Sequence, residues 1–477
     1  MVFSSALFLA LFLPTTLGLY FLAQEKLRNY VLLFASLFFY AWGEPRALFV
    51  MLGLIVISWL IGLLLDKTDG TKRKYWLILG IIANLSALFF FKYWMFFLGN
   101  TNLVLESLNF APVTIPQIAL PIGISFYVFQ IISYLIDVYR KEVPAQKSLS
   151  TLATYVSLFP QLIAGPIVRY KTIEEDLHNR KINFDNIFIG VRRFVIGLAK
   201  KVLIADQMAY IADQVFGASV SSIPWLFAWI GIIAYTLQIF FDFSAYSDMA
   251  IGLGRIFNFR FLENFNYPYC AKSIKDFWRR WHISLSSWFR DYLYIPLGGN
   301  RKGKWRTYLN LYIVFGLCGW WHGATWGFIV WGLYHGTWLV LERGKWGKAL
   351  DKISQWNISN LKIGSILSNL YTWLIVMIGW VFFRADTLSY ATDYLKIMFT
   401  GNPNAPTNSF YTATNFITYS NLLIMILGII LSYPIFSNKY DKFRYSKQEI
   451  ILLIILFITA YVFAMTSTFS PFIYFRF

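Results

Sequence analysis

The chain has 477 residues, 57% of them apolar types and only 14% charged, and 42 Lys and Arg against 24 Asp and Glu give a net charge of +18. A soluble domain typically runs ~45–50% apolar and ~25% charged, so a globule of this composition could not cover itself with polar surface. Disordered, collagen-like and disulfide-scaffold chains are excluded as well. A basic chain can be a nucleic-acid binder, but here the cations sit in short clusters between apolar runs. That is the pattern of a membrane protein's cytoplasmic face, and no nucleic-acid partner is expected.

The first apolar stretch covers roughly residues 2–23 and has no Lys or Arg before Lys26. It lacks the basic leader of a secretory signal and reads as a retained transmembrane helix. Further runs able to cross a hydrocarbon core of about 30 Å fall near 30–43, 47–65, 76–98, 119–137, 151–168, 187–204, 225–243, 309–341, 364–383, 421–436 and 449–469. Some are short, and 309–341 is long enough for two passes. The expectation is an all-α polytopic membrane protein with about 11 spans, a single membrane domain over residues 1–477.

Loops 24–29, 66–75 and 138–150 hold nine Lys or Arg, whereas loops 43–46 and 99–118 hold only Arg46. Positive loops stay in the cytoplasm, which places the N-terminus outside. Counting back from Lys439, Lys442, Arg444 and Lys447 as a cytoplasmic loop places the tail 470–477 outside too.

Within 225–243 and just beyond, Asp242, Ser244, Tyr246, Ser247 and Asp248 interrupt apolar sequence. Ser244, Ser247 and Asp248 are helix neighbours. They either lock helices together by buried hydrogen bonds or line a polar channel. Residues 265–306 are dense in aromatics and carry nine cations, among them Arg279, Arg280 and Arg290. This segment is too charged for a lipid-facing helix and reads as an interfacial amphipathic helix or one dipping into the protein. On one helix Arg279, His282, Ser286 and Arg290 would share a face, with Asp291 pointing elsewhere. The cations either anchor the segment at the interface or form a mouth for an anionic donor such as a CoA thioester.

His322 lies deep in the run 309–341, where an ionisable group is costly and is a site candidate. Gly316, Gly319, Gly323 and Gly327 around it remove bulk along one face. His335 is thirteen residues further on. On one continuous helix that is ~20 Å away on another face, so the two could meet only if the helix breaks. His282 could meet His322 only through a fold-back. His178 lies in a polar stretch and reads as a surface residue. Cys270 and Cys318 set no disulfide framework. Walker, HExxH and GxSxG motifs are absent, and four scattered histidines give no metal-ligand pair.

The stretches LPIGISFYVFQIISYLIDVYR (120–140), LFPQLIAGPIVRY (158–170), IFFDFSAYSDMAIGLGR (239–255), DFWRRWHISLSSWFRDYLYIPLGGNR (276–301) and GWWHGATWGFIVWGLYHG (319–336) resemble the membrane-bound O-acyltransferases (MBOATs). The resemblance is to the bacterial branch holding the membrane subunits of alginate and peptidoglycan O-acetyltransferases. It runs in order through most of the chain, without gross departure. It implies the MBOAT fold, with spans and re-entrant helices around a central tunnel, N-terminal helices at 1–118, an MBOAT core at 119–345 and C-terminal helices and tail at 346–477. His322 matches the family's essential histidine, His282 the second histidine of this branch, and Arg290 with Asp291 its RDY segment. Arg279, Arg280, Arg290, Asp291, Asp242 and Asp248 become candidates for the donor site or tunnel.

The resemblance further implies an inner-membrane enzyme with no tightly bound cofactor, taking an acetyl group from cytoplasmic acetyl-CoA. A separate extracytoplasmic SGNH-hydrolase-like O-acetyltransferase would finish transfer to a polysaccharide such as alginate or peptidoglycan. D-alanyl or another acyl group is an alternative. A polytopic exporter or a scaffold for the transferase would be different classes altogether. The tail SPFIYFRF is similar to the C-terminal tail of this branch and of the small partner peptide in the related teichoic-acid D-alanylation system, where a tyrosine has been proposed to carry the acyl group; Tyr474 is the matching position. A simple aromatic interfacial anchor is the other reading.

Overall fold

The structure is a computed structural model and describes residues 1–357, 362–403, 405, 417–435, 445–466 and 472. Among the described residues every regular element is helical. Pro45–Lys67, Gly70–Ser107, Trp225–Ile256, Ile363–Arg384 and Lys447–Thr466 are long and apolar enough to cross a membrane. Phe8–Leu22, Ile124–Tyr139 and Tyr419–Leu431 are shorter apolar helices. The chain packs as two compact units, Met1–Phe194 with Ser247–Leu262, and Val195–Tyr246 with Glu263–Phe477.

The first unit begins with α1 (Leu13–Leu22), α2 (Arg28–Gly43), α3 (Pro45–Lys67) and α4 (Gly70–Leu88), which runs through a π turn at Phe89–Tyr93 into α5 (Trp94–Ser107). Helix α6 (Ile124–Tyr139) is buried around its whole circumference from Ile124 to Leu135, the mark of a core helix. It lies tight against α3 and α4 because both offer glycine. A Cβ on Gly62 would fall 2.7 Å from the Tyr134 hydroxyl, and one on Gly80 2.7 Å from Leu135 Cδ1. Asn84 of α4 donates to Ser58 Oγ of α3 at 3.0 Å.

The span expected at 151–168 does not form. α7 (Leu149–Ser157) and the single turn α8 (Phe159–Leu162) are followed by irregular chain. The broken backbone finds partners inside the protein. The Phe159 N–H donates to Ser36 Oγ at 3.0 Å, and the Tyr155 hydroxyl donates to the Val168 carbonyl at 2.9 Å. Non-helical chain is tolerated at membrane depth only under such cover, and an apolar run alone does not distinguish core from span. α9 (Tyr170–His178) ends on His178, which is exposed as expected.

Next come α10 (Phe184–Ala199), α11 (Asp206–Phe216) and α12 (Trp225–Ile256). At 32 residues α12 is ~48 Å long, well beyond one hydrocarbon thickness. In the first unit its end crosses α10 at bare backbone, where a Cβ on Gly190 would lie 2.6 Å from the Gly252 carbonyl oxygen.

In the second unit, α13 (Ile274–Arg280), α14 (Ile283–Phe289) and a π turn at Arg290–Tyr294 lead to α15 (Lys304–His322) and α16 (Trp326–Glu342). The run 309–341 is therefore two helices, broken after His322. The glycines expected on one face divide between them. The closest approach pairs Gly319 with Gly332: a Cβ on Gly319 would sit 2.2 Å from the Phe328 carbonyl oxygen, and one on Gly332 2.2 Å from that of Phe315. Gly327 belongs to α16 and faces Phe382, while Gly316 meets only Leu333 at 3.5 Å. Glu342, the last residue of α16, holds the first turn of α13. Its carboxylate accepts the N–H of Ile274 at 2.7 Å and of Lys275 at 2.9 Å. Helices α17 (Lys345–Ser354), α18 (Ile363–Arg384), α19 (Leu388–Thr400), α20 (Tyr419–Leu431) and α21 (Lys447–Thr466) complete the unit. Cys270 and Cys318 are free thiols.

Candidate active site

Two helix breaks in the second unit build the site. The first lies between α13 and α14, where Trp281 is extended and His282 takes φ 44° and ψ 54°. A residue with a Cβ pays roughly 1–3 kcal/mol for such backbone and holds it only when neighbours over-determine it. Here residues 264–266 do so. The Ile283 N–H donates to the Asn264 carbonyl at 3.0 Å and the Asn266 N–H to the Arg280 carbonyl at 3.0 Å. The Asn264 side chain adds contacts at its Oδ1: Ser284 N at 3.2 Å, Ser284 Oγ at 2.9 Å and His282 Nδ1 at 3.1 Å. The expected common face of Arg279, His282, Ser286 and Arg290 is lost, because the helix is interrupted within it.

The second break follows His322, where Gly323 is fully extended and α16 restarts at Trp326. His282 and His322 are 1% and 4% exposed. Both neighbour one indole, with the Trp321 ring centroid 6.1 Å from that of His282 and 5.0 Å from that of His322. Trp331 and Phe383, each 5.2 Å away, complete the cage of His322. Phe243 of α12 stands edge-on to His282 at 4.6 Å.

His335 comes closer than a continuous helix would allow, because the chain turns back at the break. The indole of Trp331 lies 5.2 Å from His322 and 5.3 Å from His335. His335 is wholly buried, and neither ring nitrogen has a hydrogen-bond partner among the described residues. It is packed by Trp278 at 5.1 Å and Tyr334 at 5.2 Å.

The candidate charged residues are mostly committed to local pairs. Arg280 Nε binds Asp276 at 3.0 Å. Arg290 Nε turns onto Asp291 at 2.7 Å, instead of the carboxylate pointing elsewhere. That bond, ahead of all else, holds the guanidinium above its usual pKa. Arg279 is exposed. In the first unit Asp248 pairs with Arg193, Nη2 to Oδ1 at 2.9 Å. In the second, Asp242 pairs with Lys201 Nζ at 2.8 Å, and the same ammonium reaches Asp206 at 2.8 Å. These pairs favour the helix-locking reading of the polar residues on α12. Lys201 escaped sequence reading at the edge of the run 187–204, although a lysine within an apolar run was itself the signal. Asn264 carried no signal, since only the fold-back gives it a role. Tyr474 lies outside the described residues. Phe472, two residues before it, is buried with its ring 4.6 Å from Tyr246 and 6.2 Å from Phe243.

An all-helical chain with several membrane-length helices and buried histidines at two helix breaks is a polytopic membrane protein with an intraprotein histidine centre. The chain belongs to the MBOAT, membrane-bound O-acyltransferase, family, whose model matches residues 34–385. It is an acyltransferase. It is 46% identical over 401 residues to "Probable alginate O-acetylase AlgI" of Pseudomonas aeruginosa, covering 84% of this chain and 75% of that one. It is 41% identical to the protein of the same name from Pseudomonas putida, over the full length of both. It is 37% identical to the "Peptidoglycan O-acetyltransferase" of Helicobacter pylori, over 100% of this chain and 98% of the other.

Proposed function

We propose that this enzyme takes an acetyl group from acetyl-CoA at the cytoplasmic face of the inner membrane and delivers it outward for O-acetylation of a polysaccharide. The observation that carries the reading is the pair His282 and His322, both buried beside Trp321 in a chain whose full-length relatives are named for O-acetylation. In the transfer, an acceptor hydroxyl oxygen attacks the thioester carbonyl carbon. His322 takes the hydroxyl proton, the carbon–sulfur bond breaks, and the departing thiolate recovers that proton to leave as CoA thiol. Histidine suits such a base near neutral pH. A tyrosine hydroxyl has an ordinary pKa of about 10, so its proton leaves in concert with attack rather than before it. The aromatic cage keeps water from the ester.

Tyr474 serves as the acceptor that carries the group outward, and an extracytoplasmic SGNH-hydrolase-like O-acetyltransferase receives it. The seat of Phe472 on α12, whose Phe243 touches His282, supports a tail that works beside the histidines. The distribution of Lys and Arg among the loops supports an external tail. The exposed Arg279 and the flanking cations suit the CoA phosphates.

The test uses membranes holding the protein and acetyl-CoA labelled in the acetyl group, with an added partner and polymer. Wild type is expected to place label on protein and polymer. His322→Ala loses it by ~10²–10⁴-fold, and Tyr474→Phe loses the protein-bound label. Label independent of His322, or none on any species with folded protein and a competent partner, overturns the reading.

A further inference from the structure

The Asn264 side chain meets three groups at one oxygen, and one of them admits a single role. The backbone N–H of Ser284 can only donate, so the atom it meets at 3.2 Å must be the amide oxygen Oδ1 and not the NH₂. The same oxygen lies 2.9 Å from Ser284 Oγ and 3.1 Å from His282 Nδ1. An amide oxygen only accepts, so Nδ1 must carry hydrogen. A neutral imidazole with its hydrogen on Nδ1 presents a lone pair on Nε2. Such a ring accepts a hydrogen bond from a hydroxyl and cannot donate one to a carbonyl. Asn264, Ser284 and His282 are all at most 1% exposed, so water does not compete for these positions. The left-handed backbone at His282 is part of the same device, because it turns Nδ1 and the Ser284 N–H toward one acceptor.

We propose that Asn264 is a positioning residue that locks His282 as the Nδ1–H tautomer, so that Nε2 accepts the hydroxyl of the acyl acceptor rather than polarising the thioester carbonyl. This assignment rests on the acyl-transfer reading above and sharpens it. It leaves the carbonyl to other donors and gives the two histidines one shared target, the hydroxyl. The hydroxyl has one hydrogen: it points to His282 Nε2 as the acceptor docks and turns to His322, which removes it, as attack begins.

Two readouts test it on the full chain in lipid nanodiscs. The first is the ¹⁵N spectrum of histidine-labelled protein, with the His282 signals found by difference against His282→Gln. The expected wild-type ring is protonated at Nδ1 and bare at Nε2, and Asn264→Ala shifts it toward the Nε2–H form. The second is acetyl transfer. Asn264→Ala is expected to lower kcat by at least ~10-fold with little change in KM. Asn264→Asp, which still accepts all three hydrogens, recovers most of that loss. In a His282→Ala background Asn264→Ala costs nothing more, because its effect runs through the ring. A wild-type ring protonated at Nε2 overturns the proposal, as does an equal loss from Asn264→Ala with and without His282. A wild type that transfers no acetyl group defeats the acetyl-transfer reading, while the ¹⁵N spectrum still decides the tautomer.

Discussion

The second unit buries polar groups in two different ways. Beside α12, the Lys201 ammonium lies 2.8 Å from both Asp206 and Asp242, one cation shared by two acidic side chains. Around α13, α15 and α16 the buried groups are histidines among indoles and phenyl rings, with amide and hydroxyl partners at His282. The ion cluster sits on regular helix and a π turn, whereas His282 and His322 stand at helix breaks, His282 in strained backbone. A lysine shared by two acidic side chains ties helices together. The backbone at His282 is held at a cost by residues 264–266.

The contrast breaks most sharply at Lys201. Lys201→Met takes the ammonium away from the buried Asp242 and the half-buried Asp206, and losing one partner of a buried pair costs about 3–5 kcal/mol. The expected result is a large fall in the thermal midpoint and in membrane yield. Activity per folded molecule should change far less than in His322→Ala. A variant as stable as wild type would show that the cluster does not lock helices.

A smaller effect is expected at Gly379 of α18, where an added Cβ would fall 2.5 Å from His335 Nε2. The imidazole is held by rings and has little room to retreat, so Gly379→Ala should cost about 1–3 kcal/mol by overpacking. Combining it with His335→Ala should recover part of the loss, read as a thermal midpoint above that of Gly379→Ala alone.

The smallest effect separates His335 from the other two buried histidines. Its nitrogens have no hydrogen-bond partner among the described residues, so His335→Leu removes polar atoms that cost about 1–3 kcal/mol to bury unsatisfied. The thermal midpoint should hold or rise, and acetyl transfer should stay within a few-fold of wild type. A loss comparable to His322→Ala would place His335 in the chemistry.

Much of this arrangement could be read in the residues. The charge and apolar patterning led to an all-helical membrane chain. The burial cost of a histidine singled out His322, and the length of 309–341 admitted two helices. Three features were out of reach for physical reasons. Apolar residues at 151–168 look alike whether lipid or protein surrounds them. A histidine in left-handed backbone has no local signature, so the fold-back that brings His282 and His322 to the same indole was invisible. The role of Asn264 exists only after that fold-back, since eighteen residues separate it from the ring it holds.

The hold of Glu342 on α13 bears on how the enzyme lives in real membranes. Two hydrogen bonds from backbone N–H groups to the Glu342 carboxylate tie the start of α13 to the end of α16. His282 hangs from the far end of α13, and His322 stands at the head of the helix paired with α16 through Gly319 and Gly332. The spacing of the two histidines is therefore set by the protein's own girders and not by the surrounding lipid. Such a frame is expected to move as one piece when the bilayer thickens or thins, keeping the distance between the two rings.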